Sequence, residues 1–119
     1  MKDKDYLTQA IQTKDASATL YWLFDRLFRS VKTMLSVLNR ETRSHYETET
    51  IGLELLQKGG YITSEDIHLY RTVRQMYLLS EYAGQHYKWS EIQSYIIPVK
   101  SVCDQLKLTI FSEKQKTTS

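Results

Sequence analysis

Two residues in one polar stretch have the types needed to act on a phosphodiester. Arg40 and His45 are separated by Glu41-Thr42-Arg43-Ser44. A guanidinium can hold a phosphate bidentately and stabilise its charge. An imidazole can take the proton of a ribose 2′-hydroxyl. The pair therefore fits a metal-independent ribonuclease. The plainer reading of the same residues is a charged interhelical turn.

A second set would bind rather than react. The chain has nine tyrosines, and Tyr46, Tyr70, Tyr77, Tyr82, Tyr87 and Tyr95 lie in a continuous half of it. Tyrosine rings stack on bases. With Arg71 and Arg74 close by in sequence, Tyr77 and Tyr82 read as a nucleotide- or RNA-facing surface. Tyrosine also serves cores and subunit contacts, where the ring is buried and the hydroxyl keeps one hydrogen bond. On that account some of Tyr70, Tyr77, Tyr82, Tyr87 and Trp89 are expected to meet a second subunit.

Metal and thiol chemistry find little footing. His45, His68 and His86 show no helical ligand spacing with one another or with a carboxylate, so no metal site is expected. The one cysteine, Cys103, adjoins Val102 on a late apolar face and reads as a buried structural thiol. The four glycines form neither a phosphate-cradling loop nor a dinucleotide fingerprint, so no cofactor is expected.

The elements that must position these residues are helical. One proline and four glycines in 119 residues are too few for the many turns of a sandwich or barrel. Tyr6, Leu7, Ala10 and Ile11 predict a short helix from about Lys4 to Thr13. Asp15 then suits the N-cap of a long helix, Ala16 to Asn39. Its stripe of Leu20, Phe24, Leu27, Phe28, Val31, Leu35 and Leu38, widened by Tyr21, Leu23 and Met34, places it at the centre of a bundle.

A third helix is expected from Ser44 to Lys58, burying Ile51, Leu55 and Leu56 and ending at Gly59-Gly60. Thr63 with Asp66 suggests a capping box for a fourth helix, which carries Ile67, Tyr70, Val73, Tyr77 and Ser80 on one face and stops near Gly84. The last helix starts at Trp89. It buries Ile92, Tyr95, Ile96, Val99, Val102, Leu106 and Ile110, with a kink or break expected from Pro98. Residues 112–119 are polar and read as a flexible tail after a single domain of 1–111. The predicted fold is an all-α, up-and-down four-helix bundle with an additional short N-terminal helix.

The net charge of +2 is too small to imply nucleic-acid binding by itself. No apolar run approaches the ~20 residues of a membrane span. No apolar region follows Met1-Lys2-Asp3-Lys4-Asp5, and a single thiol suits a reducing compartment. No membrane contact and a cytoplasmic location are therefore expected.

Taken in order, these segments resemble the small HEPN domains, helical proteins often found beside minimal nucleotidyltransferases. The matching residues are Ala16 through Tyr21-Trp22 and Phe24, Ser44-His45, Lys58-Gly59-Gly60-Tyr61-Ile62, Ser80-Glu81-Tyr82 and Ser90-Glu91-Ile92. The resemblance spans about Tyr6 to Phe111. It implies a helical homodimer, or a partner of a nucleotidyltransferase. Catalytic HEPN ribonucleases, including toxin-like ones, carry Arg, four to six residues, then His near the later helices. Here Tyr77 stands where the subgroup has Arg, and Arg74 and His86 are too far apart. Arg40 and His45 have the spacing but lie much earlier. The resemblance therefore implies a non-catalytic binding module, with the ribonuclease and a purely structural interaction protein as alternatives.

Overall fold

The computed structural model describes the backbone of residues 3–118 and the side chains of residues 6–116. Among these the chain is all-helical, without a strand. The elements are α1 (Asp3–Gln12), α2 (Ala16–Val37), α3 (His45–Glu47), a π-helical segment (Thr48–Gly52), α4 (Leu53–Lys58), α5 (Ser64–Tyr82), α6 (Trp89–Gln93) and α7 (Ile96–Thr118). The predicted third helix is thus one rod, α3–π–α4, with a change of winding inside it.

Helix α2 is the hub. It packs on α1, the π segment, α5, α6 and α7. Leu20, Leu23, Leu27, Val31, Met34 and Leu35 form its buried stripe. They meet Ile67, Tyr70 and Val73 of α5, and Ile96, Val99, Cys103 and Leu106 of α7. The expected stripe is therefore present, with two shifts at its edge. Tyr21 is exposed, and Phe28, though buried, lies outside the central cluster.

Local rules fix the helix ends. Asp15 caps α2 by accepting from the Ala18 N–H at 3.0 Å. The Thr63 hydroxyl accepts from Asp66 N–H while the Asp66 carboxylate accepts from Thr63 N–H, the capping box expected at α5. Helices α1, α2 and α4 all close through paired backbone bonds around one left-handed residue. That residue is Lys14, Asn39 or Gly60; only Gly60 adopts it without a Cβ penalty. For α2, Arg40 N–H donates to Leu35 C=O and Asn39 N–H to Ser36 C=O, so the helix stops two residues short of the expected Asn39.

The Pro98 break falls between α6 and α7, at Ser94-Tyr95. Proline lacks the N–H that would bond Ser94, so the chain turns there and Pro98 sits in the first turn of α7, where no such donor is needed. Helix α7 continues through the polar residues 112–118, beyond the expected boundary at 111.

Of the three residues expected to be buried in the α3–π–α4 rod, Leu56 is buried, but Ile51 is 55% exposed and Leu55 is exposed. The inward face is instead Thr48, Gly52, Leu53 and Leu56, at steps of four, one and three. Gly52 marks the tightest approach to α2: a Cβ there would lie 2.6 Å from Leu35 Cδ1. Buried Thr48 is satisfied by donating to Ser44 C=O at 3.0 Å and by a hydroxyl bond with Thr42. No helix of the described residues is long and apolar enough to cross a membrane.

Candidate functional site

The α3–π–α4 rod and α5 leave an open cleft of about 780 Å³ between them, with α2 as its floor. Regular packing does not close it, because a buried carboxylate stands where apolar side chains would meet. The π segment turns Glu49 inward, leaving its side chain only 9% exposed. Glu49 Oε2 accepts from the Tyr70 hydroxyl at 2.6 Å, and Oε1 accepts from Arg74 Nε–H at 3.0 Å. A buried carboxylate needs such partners, since an unpaired charge away from water is strongly disfavoured.

This clamp orients both partners. Tyr70 is 2% exposed and spends its hydroxyl proton on Glu49. Burial, then the bond to Glu49, pushes its phenol far above the ordinary tyrosine value. Arg74 is held by its Nε edge while its side chain remains 40% exposed along the cleft. A guanidinium tethered at Nε still has terminal N–H donors for an anion.

The floor is aromatic. Tyr77 stacks on Phe24, with ring centroids 5.0 Å apart and planes 15° apart. Tyr21 lies 6.0 Å from Tyr77 on one side, and Phe28 lies 6.5 Å from Phe24 on the other. The row ends at His45, whose ring is 4.2 Å from that of Phe28. Desolvation raises the Tyr77 hydroxyl above its ordinary value, helped by the negative charge of Glu81. Tyr77 therefore stays a neutral ring and hydroxyl donor at neutral pH.

The predicted ligand-binding set comes together here. Arg71, Arg74, Tyr77 and Tyr82 all line the cleft, and so does His45. Arg71 is exposed and forms no ion pair among the described residues, so its charge is open to an anion. Tyr82 is 78% exposed at the rim. Arg40 does not join them. It is exposed, sits in the cap that closes α2, and is not part of the lining. The structure therefore does not unite the Arg40–His45 pair in this cleft. Of the residues considered for a subunit contact, Tyr70 is buried in the core, while Tyr77, Tyr87 and Trp89 are partly buried against it.

Sequence reasoning missed Glu49, and it read Phe24, Phe28 and Tyr21 as bundle packing only. A signal for Glu49 did exist. Thr48, Thr50, Ile51 and Gly52 are four poor helix formers within five residues of a predicted helix, which marks a place where winding can change.

Among the described residues no group of three or more His, Cys, Asp or Glu side chains converges as a metal site would. Cys103 is buried against α2; burial raises its thiol, although a Ser30 hydrogen bond and the Arg26 charge pull the other way. No family model matches the chain, and neither a curated protein nor a solved structure shows significant similarity to it.

Proposed function

We propose that the chain is a HEPN-like helical binding module without catalytic activity, and that its cleft takes a nucleotide or single-stranded RNA. In this reading α2, the α3–π–α4 rod, α5 and α7 are the four main helices of an up-and-down bundle, with α1 added. The module acts as a homodimer or beside a nucleotidyltransferase-type partner. Exposed Tyr46 at the cleft rim offers ring surface to that second chain.

One observation carries this reading. A stacked aromatic floor and two arginines, one of them unpaired, face the same open space. Base stacking on such rings is worth about 1–3 kcal/mol per base and tolerates any sequence. Arginine supplies the phosphate contact. Both carboxylates in the cleft lining have cationic partners: Glu49 is bonded to Tyr70 and Arg74, and Asp25 is paired with Arg29 at 3.0 Å.

The test is fluorescence anisotropy of a labelled mixed-sequence single-stranded RNA pool, without metal and at low salt. Binding should weaken as salt rises and fall at least about tenfold in Arg71→Ala, while the RNA stays intact. No binding, or binding indifferent to Arg71→Ala, contradicts the reading. A second reading, a metal-independent ribonuclease, has one observation in its favour: His45 lines the same cleft as Arg71 and Arg74. RNA cleavage that is lost in His45→Ala would establish it instead.

A further inference from the structure

The cleft does not end at Arg71. A second trough of about 560 Å³ continues along the α4–α5 side, and the two share Thr50 and Arg71 as common walls. Its sides are Ile51, Glu54 and Gln57 on the rod, and Ser64, Ile67 and His68 on α5. Glu54 is already paired with Lys58 at 3.0 Å. Both arginines of the joined groove, Arg71 and Arg74, lie on α5.

Three features of this second trough need an occupant. Ile51 is a large apolar side chain that the π segment turns out to 55% exposure, directly beside the open Arg71. His68 is exposed and lies one helical turn from Arg71 on the same face. The α5 residues His68, Arg71, Gln75, Leu78 and Tyr82 all line the joined groove and recur at alternating steps of three and four, so they follow one line along the helix, with Arg74 and Tyr77 flanking it on the Phe24 side. From His68 to Tyr82 that line rises roughly 21 Å, at 1.5 Å per residue. A stacked strand advances about 3.4 Å per nucleotide, so the line accommodates on the order of six stacked nucleotides, and fewer if extended.

We infer that the joined groove is a track for a single RNA strand several nucleotides long, rather than a pocket for one nucleotide. One base stacks on the Tyr77–Phe24 floor, phosphates pass Arg74 and Arg71, and a further base rests on Ile51 and His68. Arg71, at the junction, serves both halves. This inference rests on the binding-module reading above and extends it by ligand length.

The experiment is competition against a labelled hexauridylate by unlabelled uridine monophosphate, tri-, hexa- and dodecauridylate. Affinity should rise at least about tenfold from the monophosphate to the hexamer, then level off. Ile51→Ser removes an exposed apolar side chain without adding charge beside Arg71 and should leave the fold intact by circular dichroism. It should weaken the hexamer several-fold and leave the monophosphate unchanged. A monophosphate that competes as well as the hexamer, or a hexamer indifferent to Ile51→Ser, overturns the track while leaving the cleft itself standing. Failure of every RNA to bind overturns both. Displacement of the label by hexaglutamate as effective as by hexauridylate would reassign the groove to anionic peptides and likewise overturn the track.

Discussion

Helix α5 treats α2 and the α3–π–α4 rod in opposite ways. Toward α2 it presents Ile67, Tyr70 and Val73, and the seam closes around apolar side chains. Toward the α3–π–α4 rod it presents Arg71, Arg74 and Gln75, and the contact is a carboxylate bridging a phenol and a guanidinium across an open cleft. The first seam is held by area removed from water, which is tolerant of detail. The second is held by a few directional bonds, which fix geometry and leave room between the helices. Tyr70 belongs to both, with its ring in the core and its hydroxyl in the clamp. One seam is closed by apolar packing and the other stays open around a polar clamp.

The largest expected difference is in truncations of adjacent residues. Leu27 is 1% exposed within the closed seam, and Leu27→Ala should cost about 2–5 kcal/mol through lost burial and an unfilled cavity. Phe28 loses more atoms on truncation, but its ring lies at the cleft wall against Phe24 and His45. The space left is open to water, so Phe28→Ala should cost only the transfer term, about 1.5–3 kcal/mol. Urea unfolding of both variants checks this. Equal or reversed costs would mean that the cleft wall is core after all.

The clamp comes next. Glu49→Ala leaves the buried Tyr70 hydroxyl without its acceptor and should cost about 1–3 kcal/mol. Glu49→Gln keeps an acceptor for that hydroxyl and should recover part of the loss. If both variants unfold at the wild-type urea midpoint, the clamp contributes nothing and the two seams do not differ in kind.

The smallest effect is in alkaline stability. Tyr70, Tyr77 and Cys103 are all raised above their ordinary values in the folded chain. The folded state therefore holds these protons more tightly than the unfolded chain does. Stability is fully present below the unfolded values, about 8.5 for the thiol and 10 for the phenols, and falls as pH rises above them. Urea midpoints between pH 7 and 10.5 should decline only at the alkaline end. A midpoint that rises above pH 9 contradicts the direction of these shifts.

The closed seam was legible in the sequence and the open one was not. Leu20, Leu27, Val31 and Leu35 repeat at helical spacing, and Thr63 with Asp66 announces the start of α5 through a purely local rule. Arg71, Arg74, Tyr77 and Tyr82 could be singled out by residue type, since one helix carries all four. What periodicity could not give was the face that the rod turns inward. The rod exposes Ile51 and Leu55 and turns Thr48, Gly52, Leu53 and Leu56 inward, a choice between two adjacent faces that helical spacing alone does not make. The inward face also brings Glu49 to Tyr70, a contact across 21 residues. Arg40 does not line the cleft that His45 lines; its backbone N–H closes α2 on the Leu35 carbonyl.

The central claim is that the open seam binds RNA through Arg71, Arg74 and the Tyr77 floor. Its most direct measurement is amide and side-chain chemical-shift mapping of the isotope-labelled protein titrated with hexauridylate. The account predicts saturable shifts at Arg71, Arg74, Tyr77 and Tyr82, and at His68 and Ile51, with none at the exposed Ile97 and Leu108 of α7. Shifts centred on α7, or none anywhere at millimolar RNA, would contradict it.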